Sequence, residues 1–434
     1  MKATSTPPAV FDSGADWLEK SYAWSILVWF AAIPLSKAAG SLAEGWMALS
    51  WLLGLLAPGV ASERLRRWKE QPWLWGFPGL YLLYVAGGWH SEDLQGWTVE
   101  LNAKHYWCTL PLMWGTWTPK ARVFRHALWG FVGANALAGM GIAFIHLSGS
   151  PFLEGTPAIP SPLVQRPRAS LFLAFSLLWI FESVGTNGTV TLWRTWFWWQ
   201  KTLLGAAVLL CLLGLLWLQG RIGQLALLLG LTWMAWRHLH ASPLRWWIPV
   251  ATATLALLSW FTLDSVRIPF QEAWMELQES QKGYPHSEPE FSSIGMRFTY
   301  WSTYLEVWKN HFWLGVGSGD LDLIGRPLFD DHPLEIPFHR PHNQWLEAGV
   351  QLGLTGFLGL ALAWGLWVAR IWRGKQVMAE ALTLIFGLST LLDCTFSTQA
   401  GISAFMGLHL ALMLAEQPTA KAAPFRPGSL PPVP

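Results

Sequence analysis

Long apolar runs separated by short polar turns dominate this chain, and they leave few ways to fold it. Mostly apolar windows fall near 21–37, 41–60, 73–89, 104–118, 126–147, 169–185, 202–219, 222–236, 246–263, 345–368, 376–392 and 400–416. A helix needs about 20 such residues to cross ~30 Å of hydrocarbon. The pattern therefore predicts an all-α, polytopic membrane protein of about 12 transmembrane helices. The windows at 104–118, interrupted by Pro111, and at 222–236 are the shortest. Composition points the same way: 13% of residues are charged and 52% hydrophobic, against about 25% charged in a soluble domain. The 33 Trp residues suit a chain with many rings at the membrane–water boundary. A net charge of +2 gives no nucleic-acid footprint. Cys108, Cys211 and Cys394 lie far apart, in or beside apolar runs, and are read as small packing residues rather than metal or disulfide partners.

Lys and Arg set the orientation. With the amino terminus inside, one face collects Arg64, Arg66, Arg67 and Lys69, then Lys120, Arg122 and Arg125, Arg194 and Lys201, Arg237 and Arg245, and Arg370, Arg373 and Lys375. With the tails, that face holds 18 of the 29 cations, so both termini are expected in the cytoplasm. Residues 1–20 lack the pattern of a cleaved signal peptide, and the first run is expected to stay as an anchor. The expected divisions are an amino-terminal bundle of about nine spans over 1–263, a large outer segment at 264–344, carboxy-terminal helices at 345–416 and a tail at 417–434.

The outer segment is acidic, with 12 Asp and Glu against 6 Lys and Arg. Within Met296 to Phe312, the side chains Tyr300, Trp301, Tyr304, Leu305, Trp308 and Phe312 recur at helical spacing. A helix about 25 Å long with such a face would lie on the membrane or cap the bundle. No repeat with matching motifs is visible, which disfavours an inverted-repeat transporter.

Carboxylates inside the spans are few: Glu44 in the second, with Glu182, Glu347, Glu380 and Asp393 nearer span ends. Polar residues gather instead on the outer face. Leu218 to Gln224 forms a tight turn around Arg221, which is either a snorkelling interfacial arginine or a fork of donors for a phosphate or diphosphate. Arg297 opens the aromatic helix, and Gly315-Val316-Gly317-Ser318-Gly319 follows it. Those glycines form either a plain turn or a backbone that offers N–H groups to an anion. Next comes His339-Arg340-Pro341-His342-Asn343. His342 is a candidate base for a sugar hydroxyl and Asn343 a group that orients substrate or ring, unless the histidine merely ends a helix. Asp320 and Asp322, and Asp330, Asp331 and His332, look like possible metal ligands, although acids spaced this way are common and solvated loop acids account for them better. Asp393 could pair with an arginine, orient His342 or cap its helix pair.

These elements resemble the O-antigen ligase and polymerase superfamily. The resemblance covers about residues 200–400 and rests on Arg221 in its turn, Arg297-x-x-x-Trp301 through Gly319, His342-Asn343-Gln344-Trp345-Leu346 and Gly353-Leu354-Thr355-Gly356. Gly220 departs from it, since Ser often precedes the first Arg in that family. The resemblance implies a GT-C-like, inverting glycosyltransferase of the bacterial inner membrane with a periplasmic site. Its donor would be a glycan on undecaprenyl pyrophosphate and its acceptor lipid A–core, with no cofactor, metal or nucleic acid. His342 would be catalytic, and Arg221, Arg297 and Arg340 would hold the donor diphosphate. Asn343, Asp393, Trp301, Gly315 and Gly317 would support them. An O-antigen polymerase or protein O-oligosaccharyltransferase would use the same donor, although the short polar ending disfavours a protein acceptor. A lipid-linked sugar transporter would have no need of His342 and Asn343.

Overall fold

Apolar side chains at helical spacing become helices in every one of the twelve windows. The computed structural model describes residues 14–56, 59–148, 165–185, 197–218, 220–262, 295–330 and 340–415, with 267–268, 271 and 274–275. Asp331, His332, His339 and Gln219 lie outside the described residues, as does most of 263–294. The described regular structure is all helical: α1 (Gly14–Ala32), α2 (Lys37–Leu53), α3 (Val60–Lys69), α4 (Gly76–Gly87), α5 (Leu94–Lys104), α6 (Tyr106–Thr116), α7 (Ala121–Leu147), α8 (Arg166–Gly185), α9 (Trp198–Trp217), α10 (Arg221–His238), α11 (Ile248–Thr262), α12 (Gly295–Asn310), α13 (Leu321–Asp330), α14 (Gln344–Gly374), α15 (Val377–Leu392) and α16 (Gln399–Ala415). Among the described residues, five stretches are long and apolar enough to cross a bilayer: Lys37–Leu56, Ala121–Leu147, Arg166–Val184, Trp198–Trp217 and Gln344–Gly374. This is a membrane protein by those helices. At 11 residues, α6 reaches only ~16 Å and cannot cross by itself.

One core joins the two ends of the chain. Trp29 and Phe30 of α1 meet Trp114 of α6, and Phe30 meets Phe131 of α7. Phe77 of α4 sits edge-on to Trp367 of α14 and Phe405 of α16, each with ring centroids 5.1 Å apart. The edge-to-face geometry sets positive ring edges against negative faces and fixes helix rotation, which plain aliphatic burial in lipid would leave loose. Cys211 and Cys394 are buried and unpaired, as packing residues should be.

The aromatic helix is α12, one residue off the expected start. Its Tyr300 and Tyr304 are buried with Val316, Leu321, Phe329, Leu346 and Val350, so it caps the start of α14. Leu305 and Phe312 were expected on that face but are exposed. Packing on α13 as well as α14 selects a narrower stripe than the sequence pattern suggests.

Candidate functional site

Antiparallel packing brings distant residues together at one end of the bundle. Arg237 ends α10 and Glu380 begins α15, and the two form a fork of hydrogen bonds at 2.7 and 3.0 Å. At the opposite ends of the same two helices stand Arg221 and Asp393. Arg168, the third residue of α8, lies with its guanidinium 3.6 Å from Asp393 and donates to the Cys394 carbonyl at 2.9 Å. Arg297, on the first turn of α12, interacts electrostatically with both Asp393 and Arg221. Burial pulls the Arg297 pKa down and Arg221 adds to that, while Asp393 opposes it. The amino-terminal ends of α8, α10, α12 and α14 thus converge with three arginines, a field suited to an anion.

His342 lies in this field. Its Nδ1 is 3.0 Å from Asp393 Oδ1. A carboxylate accepts, so Nδ1 carries the proton and Nε2 is the basic nitrogen. Burial alone would raise the Asp393 pKa. The His342 hydrogen bond and the charges of Arg168, His342 and Arg297 instead hold it below the usual carboxylate range. His342 has φ 48, a left-handed conformation that costs a non-glycine residue about 1–2 kcal/mol. Its neighbours hold that geometry. Trp301 Nε1 donates to the Pro341 carbonyl at 2.7 Å. Asn343 Oδ1 accepts from the amides of Trp345 and Leu346, each at 3.0 Å, and Nδ2 donates to the Leu391 carbonyl.

Several expectations change in detail. Asn343, expected to orient a substrate or the ring, uses its side chain to cap α14 and tie it to α15. The glycine segment is no anion cradle, because each of its amides already has a protein acceptor. Gly315 donates to the His311 carbonyl, Val316 to Val350, Gly317 to Gln351, Ser318 to Gly87 and Gly319 to the Ser91 hydroxyl. Two of the acceptors lie beside Gly353, a non-helical residue (φ 64, ψ −152) that breaks α14. A Cβ on Gly315 would lie 2.4 Å from the Gln351 backbone, and one on Gly317 2.6 Å from Asp320 and Ser91. Gly315 and Gly317 therefore support the site by close packing. Asp320 is buried and accepts from the amides of Glu92 and Asp93 at 3.0 and 2.7 Å, so it is an anchor and not a metal ligand. Asp393 does two of the three things open to it, orienting His342 and facing an arginine.

Arg340, expected at the donor diphosphate, is occupied by carboxylates. It donates to Glu100 of α5 and stands 3.5 Å from Glu347 and 3.7 Å from Asp322. Those charges raise its pKa against the pull of burial. The same pairing with Arg340 and Lys104 holds Glu100 low although it is buried.

The turn before α10 explains the Gly220 departure. A Cβ at Gly220 would lie 2.2 Å from the Ser170 Cβ, and one at Gly223 2.4 Å from the Ser170 backbone. Ser170 of α8 fills the space that a serine at 220 would need. Neither Ser170 nor Arg168 was singled out in the sequence. The signal for Arg168 was two cations, Arg166 and Arg168, on the outer face against the positive-inside trend.

Residues 206–361 match the family described as O-antigen ligase. This segment belongs to the O-antigen ligase family. It runs from α9 to the middle of α14 and so contains Arg221, Arg297, Arg340 and His342, while Asp393 and Arg168 lie outside it. No curated protein matches the chain. The match, over just more than a third of the chain, supports an O-antigen ligase or polymerase type of activity on lipid-linked glycan, carried by a membrane protein.

Proposed function

We propose that the protein is an inverting, metal-independent glycosyltransferase that moves O-antigen polysaccharide from undecaprenyl pyrophosphate to lipid A–core. The reading places about twelve GT-C-like spans in the bacterial inner membrane, with both termini in the cytoplasm and the site on the periplasmic face. The observation that carries it is the His342–Asp393 hydrogen bond set among Arg168, Arg221 and Arg297.

Each group then has a step. Arg221 and Arg297 bind the donor diphosphate as fixed cations with forked donors, and Arg168 adds charge from behind Asp393. An acceptor hydroxyl meets His342 Nε2, which takes its proton as the oxygen attacks the anomeric carbon. The bond from that carbon to the diphosphate oxygen breaks, and the lipid diphosphate leaves with the electron pair. Asp393 stabilises the imidazolium that forms, while the arginines stabilise charge on the leaving group. Attack opposite the leaving group inverts the anomeric carbon.

The test is transfer by purified protein in liposomes, with lipid-linked glycan and lipid A–core, in EDTA and without ATP. Glycan on lipid A–core, lost with His342→Ala, is the expected result. Extension of the glycan on its lipid carrier would make the protein a polymerase, and transfer to a protein acceptor an oligosaccharyltransferase. No transfer to any acceptor by folded protein would overturn the reading in favour of a transporter.

A further inference from the structure

Beside the His342–Asp393 pair lies a second set of charges that the reaction does not use. Lys104 is fully buried, pairs with Glu100, stands 3.8 Å from Glu347 and lies over the Tyr84 ring at 4.6 Å. Glu347 is equally buried and accepts from the Ser397 hydroxyl at 2.6 Å. Arg340 completes the set through Glu100 and Glu347. Two buried carboxylates thus face two cations, with Asp322 at the rim. Buried ion pairs of this kind contribute little net stability, and their best-attested use is to fix register.

The register at stake is that of the two chain segments that carry the hydrogen-bonded pair. Arg340 stands two residues before His342, and Ser397 four residues after Asp393. Glu347 receives Arg340 from one segment and Ser397 from the other. Gln344 adds a third tie, accepting from the Phe396 amide at 2.7 Å. A left-handed histidine persists only where its surroundings over-determine it, and Arg340 and the Trp301–Pro341 bond grip this one from its amino-terminal side.

We propose that Arg340 is a positioning residue: through Glu100, Lys104 and Glu347 it holds the His342 peptide at a fixed distance from Asp393, and it does not bind the donor. The proposal rests on the transferase reading for its kinetic test. An anion seeking Arg340 would have to displace three carboxylates.

The experiment compares wild type with Arg340→Gln, Glu100→Gln, the double variant and Trp301→Phe, the last removing the bond to Pro341 while keeping a ring. Transfer kinetics should show kcat down about tenfold or more with donor KM within about twofold, and the double variant no worse than the weaker single one. Alongside, the rate at which diethyl pyrocarbonate modifies His342, read by peptide mass spectrometry, should rise about threefold or more in each variant as the ring is released. A tenfold rise in donor KM with kcat kept in Arg340→Gln, and no effect of Glu100→Gln, would overturn the proposal and make Arg340 a donor ligand. Unchanged labelling in all variants would also overturn it. If wild type transfers no glycan, the transferase reading fails while the labelling still decides the positioning role. If Arg340→Gln does not yield a monodisperse protein, Arg340→Lys and Trp301→Phe carry the same readouts.

Discussion

Replacing Asp393 by Asn keeps the shape of the site and removes one charge. The carboxylate lies 3.0 Å from His342 Nδ1 and 3.6 Å from Arg168. A hydrogen bond to a charged group contributes about 1.5–3 kcal/mol. Once His342 takes a proton, two unit charges about 4 Å apart attract by about 4 kcal/mol at an effective dielectric of about 20. Arg168 draws on the same carboxylate charge, so the lower part of that range applies. A loss of about 2–3 kcal/mol corresponds to a fall in kcat of about 30- to 150-fold. The amide could also turn its NH2 toward Nδ1 and hold the wrong tautomer, which would deepen the loss. Donor KM should stay or fall, because removing a negative charge beside Arg297 strengthens the field that holds the diphosphate. The assay is single-turnover transfer at saturating donor and acceptor in detergent, with KM measured separately. A kcat within about threefold of wild type would refute the reasoning, since the His342–Asp393 bond would then contribute nothing to proton transfer.

Arg297→Lys keeps the charge but loses the fork, and should lower kcat/KM for the donor by about tenfold, with Arg297→Ala about a hundredfold down in the same transfer assay. Gly220→Ser should lower Tm and activity, because its Cβ would meet Ser170 at 2.2 Å; adding Ser170→Gly should restore both, and a double variant no better than the single would refute the packing account. Asp393 has a depressed pKa in the folded protein, so its contribution to stability is present above about pH 4 and is lost as pH falls through the depressed value. Thermal scans of wild type and Asp393→Asn should therefore differ by a constant gap at neutral pH that closes in acid below about pH 4.

The helices were legible in the sequence because apolar period and run length report directly on burial. Arg221, Arg297 and His342 were legible as polar residues expected on the outer face, and the structure gathers them at one end of the bundle. What periodicity hides is where a regular pattern is broken from within. Gly353 sits between Leu352 and Leu354 in a mostly apolar stretch, and its role as an interruption depends on Trp313, whose backbone would lie 2.4 Å from any Cβ there. Pairings across long separations are hidden too. Glu100 and Lys104 look like an ordinary surface pair one helical turn apart, and only their partner Arg340, 240 residues away, turns them into a buried group. Asn343 and Asp320 were read for what their side chains could offer a ligand. Backbone amides reach them first.

The break at Gly353 also fixes a height. The part of α14 beyond it, 354–374, is about 31 Å long, close to the thickness of a bilayer's hydrocarbon, whereas 344–352 adds at most about 13 Å above that edge. His342 meets Asp393 at the end of α15, whose 16 residues rise only about 24 Å from the turn that closes α14, so the break folds the start of α14 down and keeps His342 level with the far end of α15. On the proposed transferase reading, a lipid tail would act as a tether that delivers its sugar to that fixed height, at the edge of the bundle, where a bulky polysaccharide could reach it without entering the membrane.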